Sequence, residues 1–286
     1  TLSIPEAKGG SLQDVANDPS RTASRQALLS EARNLVARFD AMDQRLTEIS
    51  GEVRTRMTSS ADRITSLGAD LAEVNRQLIA AGTASGRPGP PDLLDQRDRL
   101  LEELSKLVQV QSTQQRDGTT SVFIGTGQVL VLGGTSAQLV VTPGNADPLQ
   151  PQVVLRGIGP DVNVTPFVTG GELGGVVDFN REMLAPTRSE LGRIAVGLAS
   201  AVNAVHRNGM DAEGQLGGDF FAIGAPQAYA GAANTGTGSL AVTVTGVAAL
   251  EPTNYQLTFD GTSYVLQRVD NGAVVPMTGA GTVGSP

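Results

Sequence analysis

The residues best suited to chemistry lie together in one short stretch, NAVHRNGMDAEGQLGGDFF, which covers residues 203–221. It contains His206, the only histidine of the chain, followed by Asp211, Glu213 and Asp219. A histidine with carboxylates nearby could serve as a general base or bind a metal ion. Alternatively, His206 lies in the last turn of a helix, with a glycine three residues later in the position of a left-handed cap. We favour the helix end, because neither a nucleophile nor an orienting partner lies nearby in the sequence.

The spacing of these acids does not match a calcium-binding loop. Such a loop needs oxygen ligands at positions 1, 3, 5 and 12 and a glycine at position 6. With Asp211 as position 1, Leu216 stands at position 6, so a solvated turn is the better interpretation. The chain has no cysteine, which excludes disulfides, zinc fingers and thiol nucleophiles. We therefore expect no catalytic residue, no metal ligand and no cofactor, and we do not expect an enzyme.

Three other motifs also favour structural interpretations. The stretch GTGQVL, residues 125–130, lacks the third glycine and the following helix of a dinucleotide fingerprint, and it is typical of a hairpin. Asn163 begins an Asn-Val-Thr triplet of the glycosylation type, but such short matches arise by chance. The charges of residues 92–103 could form a docking surface, although the solvated face of an amphipathic helix is the simpler interpretation.

The composition argues against several classes of partner. The 286-residue chain has 29 acidic and 21 basic residues, and its net charge of −8 opposes binding to nucleic acids or anionic membranes. Aromatic residues make up only 3%, which disfavours an aromatic-lined ligand pocket. No apolar run approaches the roughly 20 residues of a membrane helix, and the sequence begins without the pattern of a cleaved signal. We expect no nucleic-acid partner and no membrane partner.

A long helix is the dominant predicted element. Residues 22–81 contain no proline, and their apolar residues recur at steps of three and four. The resulting apolar stripe is typical of a coiled coil, except that two consecutive steps of four around Val53 interrupt the heptads. Its members are Leu35, Phe39, Met42, Leu46, Ile49, Val53, Met57, Ile64, Leu67, Leu71, Val74 and Leu78.

Two further predicted helices could cover this stripe. One spans residues 91–108, and the other spans about residues 172–206. At 1.5 Å per residue, the long helix measures roughly 90 Å and the other two together roughly 80 Å. Part of the long stripe is therefore expected to pack against residues outside this chain or against another subunit. The last helix has an apolar stripe of its own, which comprises Leu184, Thr187, Leu191, Ile194, Leu198, Ala201 and Val205.

The remaining segments show the alternation that is typical of β-strands. Residues 120–134 predict two strands around a Gly-Thr-Gly turn, and the stretches AQLVV, QVVLR and NVTPFV predict further strands. Nearer the end, SLAVTVTG and residues 254–275 predict a meander, with tight turns at the Asp-Gly and Asn-Gly pairs of residues 260–261 and 271–272.

Together these elements predict an α+β protein. It consists of an elongated antiparallel helical bundle with a long coiled-coil-like helix, a β-rich insertion and a second, incomplete β domain. The predicted divisions are residues 1–108 for the first part of the helical rod, 109–169 for the β-rich insertion, 170–221 for the returning helix and 222–286 for the second β domain.

Four blocks of the sequence resemble the flagellar hook-associated protein 1 family. They are SLQDVANDPSRTASRQALLSEA, DLLDQRDRLLEELSKLVQV with DGTTSVFIGTGQVLVLGG after it, GGELGGVVDFNREML, and NAVHRNGMDAEGQLGGDFF. Their order and spacing also match, over nearly the whole chain. In that family the last block closes the returning helix and leads into the next β domain, which implies no catalytic role for His206.

The resemblance implies a structural component of the bacterial flagellum that joins hook to filament as a ring-forming axial subunit. The implied partners are the flagellar hook protein, the second hook-filament junction protein, further copies of the protein itself, and an export chaperone that binds the C-terminus of the whole protein. Export through the flagellar type III apparatus would place the protein in the extracellular flagellum. Family members begin and end with segments that line the flagellar tube, and this sequence resembles the core between them.

Three alternatives are other axial proteins or belong to other classes. Another axial flagellar protein, such as the second junction protein or a filament subunit, would share the long helices. A cell-surface adhesin would use its β domains to bind a host ligand, although the scarcity of aromatic residues counts against sugar stacking. An enzyme that depends on His206 is the third alternative.

Overall fold

The structure is a computed structural model. It describes residues 10–85, 87–145, 147–211, 213–231, 234, 240–244, 246, 249–259 and 261–278. The chain divides into two compact units, Thr1–Ile49 and Ser50–Pro286. In the first unit, the Ser11 hydroxyl of a short helix donates a 2.5 Å hydrogen bond to the Glu31 carboxylate. That helix is α1, Gly10–Asn17.

The helices lie where the periodicity predicts them. Helix α2 is a single helix of 59 residues, Thr22–Ala80, and α3 follows as Pro91–Leu107 after a short 3₁₀ turn. The returning helix was predicted as one element, but it consists of α4, Gly171–Phe179, a π-helical segment, Asn180–Leu184, and α5, Ala185–Arg207. Pro186 explains the interruption, because it has no N–H to donate within the helix. The wider π turn accommodates that loss, and the Ala185 N–H donates to the Asn180 carbonyl instead.

The second half of the α2 stripe is covered within the chain. Arg63 on α2 lies 3.5 Å from Glu103 on α3, so the two helices contact each other at this point. Leu104 and Leu107 of α3 are buried. Burial of each such side chain contributes roughly 1.5–3 kcal/mol, so this part of the helix is held by packing rather than by its own propensity. The buried members of the α2 stripe are Val53, Met57, Ile64, Leu67, Leu71, Val74 and Leu78.

The β-rich insertion contains two antiparallel sheets. The predicted hairpin around the Gly-Thr-Gly turn is present, with Ile124 opposite Gln128. The first sheet has the order β1–β2–β3–β4, with β1 Val110–Gln114, β2 Thr120–Ile124, β3 Gln128–Leu132 and β4 Thr135–Ser136. The second has the order β5–β6–β7, with β5 Gln138–Pro143, β6 Pro151–Gly157 and β7 Gly159–Asn163.

The strand predicted at NVTPFV is wrong. Strand β7 ends at Asn163, and the stretch continues as a 3₁₀ turn, Thr165–Phe167. The Asn163 side chain accepts a 3.0 Å hydrogen bond from the Thr165 N–H, and Pro166 in the turn has no N–H to donate to a strand partner. Local side-chain bonding therefore replaces strand pairing here.

Polar side chains of α2 attach the insertion to the long helix. Asn75 is 1% exposed, and its amide donates to the carbonyls of Thr120 and Gly133 at 2.9 and 2.7 Å. Its carbonyl oxygen accepts a 2.9 Å bond from the Thr120 N–H. One asparagine thus supplies both the donor and the acceptor that a neighbouring strand would offer.

Two threonines extend this attachment along the same helix and just beyond it. The Thr65 hydroxyl accepts a 2.9 Å bond from the Leu139 N–H in the second sheet. The Thr83 hydroxyl donates to the Asp117 carbonyl at 2.7 Å, in the turn between β1 and β2. In that turn, hydrogen bonds from the hydroxyl and the N–H of Thr119 lower the pKa of the Asp117 carboxyl. Both sheets are therefore fixed to α2 through backbone atoms.

The C-terminal region contains a third antiparallel sheet, in the order β10–β9–β8. Strand β8, Tyr255–Phe259, pairs with β9, Tyr264–Arg268, and β9 pairs with β10, Val274–Val275. The predicted Asn-Gly turn is present, with Gly272 at φ +69°. The strand predicted at SLAVTVTG is absent from residues 240–244, and part of that stretch lies outside the described residues, as does Asp260 of the other predicted turn.

No helix within the described part of the chain is both long enough and apolar enough to cross a membrane.

Asn75→Ala should lower the free energy of unfolding by about 3 kcal/mol, because it leaves three backbone groups, two of them buried, without their partner. Chemical denaturation followed by circular dichroism measures this loss. The matched control is Asn34→Ala, at an exposed position of the same helix, which we expect to change stability by less than about 0.5 kcal/mol. Equal effects of the two substitutions would contradict the role of Asn75.

Candidate functional site

The stretch with the lone histidine forms the C-terminal end of α5, Ala185–Arg207. His206 Nδ1 lies 2.7 Å from the Gly218 carbonyl oxygen, and its ring centroid lies 5.5 Å from that of Phe220. The side chain is exposed, and the ring holds the chain that follows the helix. The neighbouring Arg207 forms an ion pair of 2.5 Å with Asp219 in the same segment.

Asn203 is the central residue of this helix end. Although it lies in the exposed last turns of α5, it is only 2% exposed itself. Its amide donates to the Phe221 carbonyl at 2.8 Å, and its oxygen accepts the N–H groups of Phe220 and Phe221 at 2.9 and 2.8 Å. Sequence reasoning missed this role. The sequence carried no signal for it, because Asn203 lies outside the predicted apolar stripe of this helix.

The predicted turn after the helix is present. Asp211 accepts hydrogen bonds from the N–H groups of Glu213 and Gln215 at 3.0 and 2.7 Å, and Met210 and Leu216 form an isolated β-bridge. Gly214 lies at φ +79°, where a side chain would be strained. The Asp211 carboxylate is thus occupied by backbone amides.

The histidine and the three acids do not converge on one point. Asp211 bonds its own turn, whereas Asp219 pairs with Arg207 and His206 faces the Gly218 carbonyl. Among the residues that the structure describes, no three histidine or acidic side chains are grouped so that they could hold a metal ion. The geometry fits a structural role, in which these side chains hold the chain segment that follows α5.

The apolar stripe of α5 is a more prominent surface. Its predicted member Leu184 is buried, but Ile194 is 47% exposed, Leu198 39% and Val205 75%. Met183, in the π-helical segment just before α5, is also exposed. We call Ile194, Leu198, Ala201 and Val205 the α5 stripe. Such regularly spaced apolar side chains at the surface of a helix indicate a surface that packs against other helices.

Charged residues border the α5 stripe. The Arg193 guanidinium donates to the Glu190 carboxylate, with a distance of 2.9 Å from Nε to Oε2. This hydrogen bond lowers the pKa of the Glu190 carboxyl, so the pair stays charged near neutral pH. An apolar centre with a charged border is the usual arrangement of helix-packing surfaces.

The first half of α2 also carries exposed apolar side chains. Leu29, Val36 and Met42 are each more than 40% exposed. By contrast, the members of the predicted stripe from Val53 to Leu78 are buried. Of the three exposed residues, only Met42 belongs to the predicted stripe, whose other members in this half of the helix, Leu35, Phe39, Leu46 and Ile49, are half-buried. The expectation that part of the long stripe packs against residues outside this chain stays a prediction.

Comparison with known proteins places the chain in a family. The model of the flagellar hook-associated protein FlgK helical domain matches residues 9–221, which is most of the chain. The chain belongs to the flagellar hook-associated protein 1 family. A second model, the D2-like domain of flagellar hook-associated protein 1, matches residues 229–285. The predicted resemblance to this family is confirmed.

Curated members of the family are similar over nearly the whole chain. The flagellar hook-associated protein 1 of Escherichia coli K12 is 33% identical over 270 residues, which cover 94% of this chain and 49% of the relative. That of Salmonella typhimurium is 36% identical over 261 residues, which cover 90% and 47%. The chain therefore spans about half the length of the curated relatives it matches.

A solved member of the family has the same fold. The flagellar hook junction protein FlgK from Burkholderia pseudomallei matches with a TM-score of 0.84 and 35% identity, over 93% of this chain and 48% of that protein. The α+β class, with a long helix and small antiparallel sheets, is thereby confirmed.

Asn203→Ala should speed amide hydrogen exchange at Phe220 and Phe221 by about tenfold, because both N–H groups lose their acceptor. Hydrogen exchange measured by mass spectrometry or NMR tests this. The control is Asn208→Ala, which removes a side chain bonded only to the Ala204 carbonyl of its own helix. If exchange at the two phenylalanines is unchanged in Asn203→Ala, the bracing role is wrong.

Proposed function

We propose that the protein to which this chain belongs is a structural part of the bacterial flagellum that joins hook to filament as a ring-forming axial subunit. The observation that carries this proposal is the match of the FlgK helical-domain model to residues 9–221. The fold supports it as well, since the Burkholderia protein with a TM-score of 0.84 is described as a flagellar hook junction protein.

The exposed apolar surfaces suit a subunit that completes its packing in an assembly. A helix gains roughly 1.5–3 kcal/mol for each apolar side chain of the α5 stripe that it buries, so the stripe favours helix-to-helix contact. The Glu190–Arg193 pair beside it would remain at the edge of such a contact. We infer that the α5 stripe and the exposed part of α2 pack against neighbouring helices of the flagellum.

We propose that each predicted domain has its own role in the flagellum. The helical domain, residues 1–108 and 170–221, would supply packing along the flagellar axis, whereas the insertion, 109–169, and the second β domain, 222–286, would lie outside it. Asn75, Thr65 and Thr83 support this arrangement, because they fix the sheets to the helix.

We also propose that the protein is not an enzyme and that it has no catalytic, cofactor-binding or metal-binding residues. The separation of His206 from Asp211, and the hydrogen bonds that occupy both, support this interpretation. His206→Ala would abolish the activity of an enzyme that uses the imidazole, whereas under the present proposal it only lowers the stability slightly.

The proposed partners are the hook protein, the second hook-filament junction protein, other copies of the same protein and an export chaperone. The proposed place of the protein itself is the extracellular flagellum, reached by type III export. A chain without cysteine suits this route, because it can be threaded unfolded without forming disulfides. The net charge of −8 supports the absence of nucleic-acid and membrane partners.

The full-length protein, added to purified hooks that lack it, should attach to the hook tips and allow filament growth after the second junction protein and filament subunits are supplied. Electron microscopy measures attachment and filament length. Failure of the correctly folded protein to attach would overturn the proposed role.

Lysine substitutions test the α5 stripe in the same assay. Ile194→Lys with Leu198→Lys should fold, since both positions are exposed, but should lower attachment by about tenfold or more because buried charges oppose packing. Ala204→Lys is the matched control, at an exposed position about a quarter turn from the stripe. Equal attachment of the two variants would show that the stripe is not a contact surface.

A further inference from the structure

The loop between β5 and β6, residues 144–150, is closed by its own hydrogen bonds. The Gly144 N–H donates to the Gln150 carbonyl at 2.7 Å, and the Gln150 N–H donates to the Asp147 carbonyl at 3.0 Å. The Asp147 carboxylate accepts the Leu149 N–H at 2.9 Å through Oδ1. A Cβ atom at Gly144 would lie 2.6 Å from the Asp147 carbonyl oxygen, so only glycine fits this closure. These contacts hold Gly144 and residues 147–150 in one arrangement.

Two side chains of this loop bond to other parts of the chain. Asp147, only 9% exposed, uses its second oxygen, Oδ2, to accept a 2.6 Å hydrogen bond from the Asn254 amide, 107 residues later. Gln150 accepts a 2.9 Å bond from the Asn180 amide in the π-helical segment. The loop thus links the returning helix to the region that matches the D2-like domain.

The charge of Glu251 acts between the D2-like region and the returning helix. Glu251 lies 3.9 Å from Arg268 in its own region. It also lies close enough to α5 to attract Arg193, whose pKa is raised mainly by its hydrogen bond to Glu190 and further by Glu251. This attraction draws α5 and the D2-like region together, as the Asp147–Asn254 hydrogen bond also does.

We propose that Asp147 and Gln150 of the β5–β6 loop form a latch that sets the orientation of the D2-like region relative to the helical domain, and that the Asp147–Asn254 hydrogen bond is its closure. A hydrogen bond to a charged, largely buried carboxylate is stronger and more directional than a neutral one. The opposite side of the latch is anchored by Gln150 and Asn180 at the π-helical segment. The inference concerns the chain alone and does not depend on attachment to the hook.

Spin labels can measure this orientation, because the 286-residue chain has no native cysteine. Cysteines introduced at exposed Gln111 and Thr258 place one label on β1 and one on β8. Pulsed electron paramagnetic resonance then gives the distribution of distances between the helical-domain side and the D2-like region. The chain with both labels and no other change should show one narrow distribution.

Asn254→Ala should raise the fraction of molecules whose label-to-label distance lies outside that narrow distribution by about tenfold, because it removes a charge-assisted hydrogen bond. Asn254→Asp should broaden the distribution further, since it opposes two carboxylates. The exchanged pair, Asp147→Asn with Asn254→Asp, should restore the narrow distribution, because it keeps one carboxylate and one amide across the contact. The matched control is Asn271→Ala, whose side chain bonds the Ala273 N–H in its own turn, and it should leave the distribution unchanged.

Unchanged distances in both single Asn254 variants would overturn the latch. Failure of the exchanged pair to restore the narrow distribution would overturn it as well, because a general loss of stability would not be reversed by exchange. Circular dichroism of each variant checks that the helices remain folded. None of these results depends on whether the full-length protein joins hook to filament.

Discussion

Most of the stability of a 59-residue helix in water comes from covering its apolar side chains, and this constraint organises the structure. From Val53 to Leu78 the stripe is buried, with α3 alongside and the two sheets of the insertion fixed to the same helix. Earlier in the helix, Val36 and Met42 stay exposed. The helix therefore serves as a core element over one part of its length and as a surface over another, which is what the proposed assembly role requires.

The spacing of apolar residues correctly predicted the elements that have one apolar, buried face. The three- and four-residue steps of α2 and the alternation around residues 120–134 gave the long helix and the β2–β3 hairpin, because both patterns depend on one apolar face. The prediction failed where a single polar residue or a proline decided the backbone. Asn163 and Pro166 replaced a strand by a 3₁₀ turn, and Pro186 placed a π segment inside a helix that reads as continuous.

The candidate site shows the same limit of sequence reasoning. His206 drew attention as the only histidine, and its place at a helix end was predicted from the glycine and turn residues after it. Asn203, which makes three hydrogen bonds to the chain leaving the helix, was not distinguishable from a helix-surface asparagine without knowledge of what lies opposite. Contacts across 17 or 18 residues arise from the path of the loop, and no local pattern encodes that path.

The attachment of the insertion through Asn75 has a consequence for how such proteins can diverge. Asn75 bonds main-chain atoms of Thr120 and Gly133, namely an N–H, which every amino acid except proline carries, and two carbonyl groups. The helix thus imposes no requirement, through this asparagine, on which side chains the strands display outward. Substitutions can therefore change the outward side chains of these strands while their attachment to α2 stays the same.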